Sequence, residues 1–278
     1  MMPMMRVASL ALALTFSMST ASLAQMSLAD LLDRHGVPIK GGRFDVAFDS
    51  YAVPTVPITP GAFATPLALM TGGAARERVD AAYAFGVLAG RTGCAASPSE
   101  RAAAGRILVA MLSADDRASR IAGARVAGRV FAVPLEASGP RSPAPSGLVD
   151  GLFQLLNSEA EIDQLAAMDA LGLLRDVSAV PSLTERYRYY RSENQRARAG
   201  GALEALARIG DPAAAALVRE LSGDRWADGK DATALAVAFA RERLLKDGSV
   251  AQIRAALDDK SRRDQARGYL AELGAPMP

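Results

Sequence analysis

The sequence predicts an all-α protein in which stacked helices form a solenoid, preceded by an extended N-terminal arm. Alanine supplies about a fifth of the 278 residues, and this favours closely packed helices. Only 5% of the residues are aromatic, whereas β-sandwiches and barrels favour aromatic and β-branched side chains. In the second half of the chain, paired amphipathic helices recur about every 35 residues, a period typical of repeat proteins.

The overall charge and the scarcity of cysteine and histidine exclude several classes of function. With 32 basic and 30 acidic residues the formal charge is +2, so the chain lacks the positive excess typical of nucleic-acid-binding proteins. One cysteine and one histidine form neither an internal disulfide nor a Cys/His zinc site. We therefore expect no nucleic-acid partner, no metal and no other cofactor. Catalysis by a Cys–His pair would have to use Cys94 with His35.

Residues 1–24 have the layout of a secretory signal peptide. Arg6 supplies one positive charge, the apolar run Val7–Phe16 follows, and small or polar residues lead to Ala24. An uncleaved membrane anchor is the alternative, but the apolar run is about half of the roughly 20 residues that span a bilayer. Cleavage before Gln25 would leave a soluble protein without a transmembrane segment, located in the periplasm or outside the cell.

Residues 25–73 are predicted to form an extended arm. A short helical pattern covers Ser27–Leu32, and the alternation of polar and apolar residues over Arg43–Phe48 and Tyr51–Val53 would allow a short strand. Five prolines leave no room for a long helix, because proline breaks helix interiors. These are Pro38, Pro54, Pro57, Pro60 and Pro66.

Residues 74–131 are predicted to form helical repeats. The helices are expected at 74–90, 97–112 and 114–131, and Pro98 lies in the first turn of the second, where proline is tolerated. Four prolines in residues 132–146 predict a linker that divides the helical region in two.

Helical repeats are predicted for residues 147–274. The segment Asp169–Asp176 aligns with Glu204–Asp211, 35 residues later, and a weaker copy ends at Asp247 after 36 more. A second amphipathic run follows each copy, and its apolar residues share one helical face. Such helices bury their stripes only against neighbours, which predicts a solenoid. The apolar residues are Val180, Leu183, Tyr187 and Tyr190, then Ala214, Leu217, Val218 and Leu221, then Val250, Ile253 and Leu257.

The repeated pattern is a helix ending in Ala-Leu-x-x-(Leu/Ile)-(Gly/Arg)-Asp, followed by a second helix, and it resembles short HEAT repeats of the phycobilisome-lyase-like kind. The match is clearest in residues 166–183 and 202–221. Residues 234–257 depart from it, with Arg241 and Glu242 in place of Ala-Leu. The resemblance implies an α-solenoid that acts as an interaction scaffold, and it specifies packing rather than chemistry.

Two kinds of enzyme with similar repeats do not fit this sequence. Helical-repeat di-iron hydroxylases need several His–Glu pairs, and the one histidine here, His35, lies outside the repeats. Bilin lyases act inside the cell, whereas this chain carries an export signal. The sequence also contains no Ser-His-Asp set and no carboxylate pair that helical spacing would bring together in a cleft. We therefore predict that the protein is not an enzyme.

Three conspicuous side chains are interpreted as structural. His35, followed by glycine, is expected to cap the first helix. Cys94 lies between two predicted helices and is interpreted as a small buried residue. Trp226 lies on a polar connection and is expected to be buried beneath it, as large aromatic side chains usually are.

The segment Glu185–Arg198 is the most informative surface of the sequence. Tyr187 and Tyr190 continue an apolar stripe, whereas Tyr189 points away from it. An exposed tyrosine among arginines has the composition of a binding hot spot, and the alternative is a solvated helix end. We expect the second helices to line the concave face and to bind an acidic or amphipathic segment. The predicted partner-binding residues are Arg188, Tyr189, Arg219, Glu220 and Arg254.

The sequence thus favours an exported, non-enzymatic HEAT-repeat scaffold that binds a protein or peptide segment on its concave face. The alternative is a small-molecule-binding or enzymatic module with a pocket between the N-terminal arm and the first helices, residues 76–131. That alternative requires polar groups that converge in one cleft.

Overall fold

The protein is all-helical wherever its structure is described, as the composition predicts. Within those ranges there are fourteen α-helices and no β-strand. The predicted signal peptide, Cys94 and most of the predicted linker lie outside the described residues. The computed structural model describes residues 26–49, 54–90, 95–133, 144–221, 226, 229 and 231–276.

The described helices are numbered here in chain order. Three 3-10 turns accompany them, at Lys40–Gly42, Val177–Ala179 and Ala256–Asp258. The helices are α1 (Leu28–Arg34), α2 (Phe44–Asp49), α3 (Ala64–Gly72), α4 (Ala75–Ala89), α5 (Pro98–Leu112), α6 (Arg117–Val130), α7 (Leu148–Leu156), α8 (Glu161–Leu174), α9 (Val180–Ser192), α10 (Arg196–Ile209), α11 (Ala213–Arg219), α12 (Ala232–Leu245), α13 (Val250–Ala255) and α14 (Arg263–Glu272).

The N-terminal segment contains three short helices where the sequence predicts an extended arm. Helices α1, α2 and α3 are seven, six and nine residues long, so they fit between the prolines. Pro66 is the third residue of α3, a position whose backbone N–H has no partner within the helix, so proline costs little there. The proline spacing excludes long helices but leaves room for these short ones.

The strand that alternation suggested at Arg43–Phe48 is wrong, because Phe44–Asp49 is helical. Phe44, Ala47 and Phe48 are buried, and their spacing of three and four residues places them on one face of a helix. Helix α2 packs this face against α4. The helical period therefore outweighs the alternation that the same residues also contain.

The three helices predicted between residues 74 and 131 are present as α4, α5 and α6. Helix α5 begins with a capping box, in which the Ser97 hydroxyl accepts a hydrogen bond from the Glu100 backbone N–H at 3.3 Å. The Glu100 carboxylate in turn accepts from the Ser97 backbone N–H at 2.8 Å. Asp116 caps α6 by accepting from the Ser119 N–H at 2.7 Å.

The repeat seen in the sequence has a structural counterpart at the ends of α8, α10 and α12. Each helix ends in a left-handed residue, and these residues, Arg175, Gly210 and Lys246, are 35 and then 36 positions apart. The aspartate that follows each of them turns the chain into the next helix. Their Oδ1 atoms accept backbone hydrogen bonds: Asp176 from Ser178, Asp211 from Ala213 and Asp247 from Ser249.

The helices from α3 onwards pack as two series. The even-numbered helices α4, α6, α8, α10 and α12 contact one another in that order, and α12 also contacts α14. Each odd-numbered helix from α3 to α13 packs on the helix that follows it. Neighbouring odd-numbered helices touch far less extensively, and a cleft opens between α7 and α9.

Small residues allow the even-numbered helices to approach closely. A Cβ atom at Gly128 would lie 2.8 Å from Cα of Ala170, and one at Gly172 would lie 2.8 Å from Cα of Ala205. Both distances are shorter than real Cβ contacts, so α6, α8 and α10 meet backbone to backbone at these points. Among the described helices, none is both long and apolar enough to cross a membrane.

Candidate functional site

The five residues predicted to bind a partner are all exposed. Arg188 and Tyr189 lie in α9, Arg219 ends α11, Glu220 follows it, and Arg254 lies in α13. Tyr189 is 56% exposed, whereas its neighbours in the apolar stripe are buried as predicted. The structure thus places each of these side chains at the surface.

Tyr189 lies at a cleft of about 370 Å³ between α7 and α9. Helix α7 contributes Phe153 and Leu156, which give the cleft an apolar side. Helix α9 contributes Ser182, Glu185, Arg186 and Tyr189, and Asn157 at the end of α7 completes the lining. The volume is within the range of small-ligand pockets, and it also suits one large side chain of a bound segment.

Arg186 is held in the cleft wall by neutral groups. Its guanidinium donates to the Tyr190 hydroxyl at 3.1 Å and to Oδ1 of Asn157. The Tyr190 hydroxyl donates to Oε1 of Gln164 at 3.0 Å, and the Gln164 amide donates to the Ser158 carbonyl at 2.6 Å. Because Tyr190 and Gln164 are buried, this hydrogen-bond chain fixes the guanidinium from inside the protein.

The cleft contains only part of the predicted partner-binding surface. Of the five predicted residues, Tyr189 is the one that lines it, and Arg219, Glu220 and Arg254 do not. Sequence reasoning missed the contribution of α7. A signal for the α9 side was present, because Ser182, Glu185 or Arg186, and Tyr189 recur at spacings of three and four and therefore share a face.

A second polar cluster joins α8, α10 and α14. Arg208 is buried, and its guanidinium contacts Asp169 at 2.6 Å, Glu272 at 3.0 Å and Glu204 at 3.6 Å. Glu204 and Arg208 lie one turn apart on α10, and α14 packs over them. The Tyr269 hydroxyl of α14 donates to the Glu204 carboxylate. This cluster attaches the C-terminal helix to the even-numbered series.

Burial in this cluster changes the acidity of two groups. Burial raises the pKa of Glu204 above its usual value, although Arg208 acts in the opposite direction. Burial and the adjacent Glu204 carboxylate raise the pKa of Tyr269 well above its usual value. Glu204 and Tyr269 both use their polar atoms in contacts within the protein. We therefore assign the cluster to stabilisation of the fold rather than to ligand binding.

The other side chains singled out in the sequence occupy structural positions. His35 is the C-cap of α1 as expected, with the following Gly36 at a φ of 78°. His35 is completely buried, and neither of its ring nitrogens has a hydrogen-bond partner among the residues that the structure describes. Trp226 is 3% exposed, as expected, and the Arg196 guanidinium lies 4.8 Å from its ring centroid.

Within the ranges that the structure describes, no group of three His, Cys, Asp or Glu side chains is placed to hold a metal ion.

Comparisons with known proteins give no family for this chain. No protein-family model matches the sequence, and no curated protein is significantly similar to it. Membership of the HEAT-repeat family therefore stays a prediction from the sequence pattern.

Proposed function

We propose that this protein is a non-enzymatic helical scaffold of the HEAT-repeat kind that binds a segment of another protein at the cleft between α7 and α9. The observation that carries the proposal is the 56% exposure of Tyr189 at the cleft. Tyrosine, tryptophan and arginine dominate the binding energy of protein interfaces, and they act from partly enclosed positions of this kind. The cleft offers both an aromatic group and a fixed arginine.

The packing of the helices supports a solenoid. Each odd-numbered helix pairs with the next helix, and the even-numbered helices contact one another in series. The even-numbered series is the more closely spaced, so the stack would curve towards it. This favours the outer side for α9, rather than the concave face on which the sequence predicted the partner.

The partner is proposed to be an acidic or amphipathic protein segment. Arg188, Arg219 and Arg254 are exposed on the odd-numbered helices, with Glu220 beside Arg219. Guanidinium groups bind carboxylates through paired hydrogen bonds, and the apolar side of the cleft suits an apolar side chain. Export by the predicted signal peptide would place this encounter in the periplasm or outside the cell.

The alternative function, a pocket for a small molecule between the N-terminal segment and the first helices, is favoured by one observation. His35 is completely buried within that segment, and among the described residues neither of its ring nitrogens has a hydrogen-bond partner. Buried polar groups normally have partners, so an unpaired imidazole is unusual. A His35→Phe variant separates the two: unchanged binding of a protein partner would favour the scaffold, whereas a small molecule that co-purifies with the original protein and is lost from the variant would favour the pocket.

Site-specific cross-linking tests the scaffold proposal. A photoreactive phenylalanine at position 189 should cross-link a protein partner in the exporting cell, whereas one at Val177 should not. Val177 is the matched control because it is 57% exposed and lies before the opposite end of α9. The cross-linked partner is then identified and purified.

Binding of that purified partner gives the decisive measurement. Tyr189→Ala should weaken it by about 10- to 100-fold, and Val177→Ala should leave it unchanged. The thermal midpoint should stay nearly constant in both variants, since both side chains are exposed. Equal cross-linking at both positions, or full affinity in Tyr189→Ala, would refute the proposal.

A further inference from the structure

The guanidinium of Arg186 is preorganised but has capacity for further hydrogen bonds. A guanidinium carries five N–H donors, and within the described part of the chain Tyr190 and Asn157 accept from two of those on Arg186. Both acceptors are neutral, so they orient the group without neutralising its charge. Arg186 is half-buried and lines the cleft. The cleft therefore presents a fixed positive charge with free donors.

Several other arginines of this protein pair with carboxylates of the chain itself. Arg120 contacts Asp163 at 3.2 Å, and Arg196 contacts Asp231 at 2.6 Å. Arg208 has three carboxylates around it. These guanidinium groups pair with carboxylates of the chain itself, whereas the bonds described for Arg186 go to an amide and a hydroxyl. Among the described residues no carboxylate forms an ion pair with Arg186, so its charge is available to a carboxylate from outside the chain.

We propose, building on the scaffold function, that the cleft between α7 and α9 is a carboxylate-binding pocket. Arg186 would bind the carboxylate, with the Ser182 hydroxyl as a further donor. Phe153 and Leu156 would contact an apolar group next to that carboxylate, and Tyr189 would cover it. The occupant is an acidic side chain or the C-terminal carboxylate of the partner segment, flanked by an apolar residue.

Glu185 weakens the binding of a carboxylate in the cleft. It is exposed and lines the same cleft, so it places a negative charge beside the proposed anion site. Since it is exposed, solvent and salt weaken its repulsion of a carboxylate held at the half-buried Arg186. Neutralising Glu185 should consequently strengthen carboxylate binding, a gain that a damaged fold would not produce.

The test uses three short peptides and the full-length protein in isothermal titration calorimetry. The first, acetyl-Ala-Leu-Phe with a free carboxylate, presents a C-terminus. The second, acetyl-Glu-Leu-Phe-amide, presents an acidic side chain. The third, acetyl-Gln-Leu-Phe-amide, is neutral. At least one acidic peptide should bind about tenfold or more tightly than the neutral one, and the tighter of the two identifies the source of the carboxylate.

Variants assign that preference to the cleft. Arg186→Lys should lose most of it, since a lysine ammonium cannot reproduce the planar pair of donors. Glu185→Gln should increase it severalfold, and Arg106→Gln, which changes an exposed arginine of α5 outside the lining, should preserve it. Equal binding of all three peptides, or an equal loss in Arg106→Gln, would overturn the carboxylate pocket.

The outcomes also separate this inference from the proposed function. Tyr189-dependent partner binding without any carboxylate preference would retain the scaffold and reject the pocket. Carboxylate binding that depends on Arg186, without a protein partner at Tyr189, would retain the pocket and reject the scaffold.

Discussion

At the residue scale, glycines in the even-numbered helices differ in what surrounds them. A Cβ at Gly172 would meet backbone of α10 at 2.8 Å. A Cβ at Gly200 would find its nearest neighbours, atoms of Thr233, at 3.5 Å, an ordinary contact distance. Both residues are buried within helices. Gly172 is therefore required by close packing, whereas Gly200 has room for a methyl group.

This difference predicts opposite effects of the same substitution. Gly172→Ala should destabilise the protein by about 1–3 kcal/mol, because α8 and α10 must move apart. Gly200→Ala should be neutral or stabilising by up to about 1 kcal/mol, because alanine favours helices over glycine. Chemical denaturation of the two variants measures both values. Similar destabilisation by both substitutions would show that the even-numbered helices do not differ in how closely they pack at Gly172 and at Gly200.

The sequence predicts residue environments well where they depend on helical periodicity. Tyr187 and Tyr190 fall on the apolar stripe and are buried, and Tyr189 falls off it and is exposed. The role of Arg186 was not accessible in this way. Its partner Asn157 lies 29 positions earlier, and the contact depends on how α7 meets α9. Long side chains that bridge distant segments leave no periodic signal.

At the element scale, α14 is attached through a carboxylate whose acidity depends on that attachment. The pKa of Glu204 is raised in the folded protein, so the folded state binds this proton more tightly than the unfolded chain does. The contribution to stability is fully present below the ordinary value of 4.5, and it is lost as the pH rises through the folded-state value. Attachment of α14 should therefore weaken between acidic and neutral pH.

Glu204→Gln tests this dependence. Glutamine resembles the protonated acid, so the thermal midpoint of the variant should rise relative to that of the original protein as the pH increases from about 4 to about 7. Asp259→Asn is the control with the opposite sign. The Ser261 hydroxyl and backbone N–H lower the pKa of Asp259 to about 2. The thermal midpoint of Asp259→Asn should therefore fall relative to that of the original protein as the pH rises from 2. If the thermal midpoints of Glu204→Gln and of the original protein changed in parallel with pH, the prediction would be contradicted.

The elements that the sequence predicts least well are the short ones near the N-terminus. Helix α2 has six residues, too few for its period to stand out from the alternation in the same stretch. Packing against α4 decides its conformation, and no local pattern reports that contact. Helices α4 to α6 are 14 or 15 residues long, and two begin with recognisable caps, so their predicted ends lie within three residues of the observed ones.

At the scale of the whole molecule, stability should vary along the stack. Helices α8 and α10 have even-numbered neighbours on both sides as well as a paired helix. Helix α13 is six residues long and lies near one end. In repeat proteins each unit contacts only its neighbours, so central units are supported twice and terminal units once.

Hydrogen exchange followed by mass spectrometry measures this gradient. Amides of α8 and α10 should exchange most slowly, and those of α1, α2 and α13 should exchange first. The expected difference arises because terminal helices open without disturbing the centre. Uniform protection from α1 to α13 would instead show that the molecule unfolds as one cooperative unit.

The burial of Trp226 gives the protein an intrinsic optical reporter. It is the one tryptophan in the chain, it is 3% exposed, and the Arg196 guanidinium of α10 lies over its ring. An indole shielded from water fluoresces at a shorter wavelength than a hydrated one. A shift of the emission to longer wavelength therefore signals that Trp226 has separated from α10, without any attached dye.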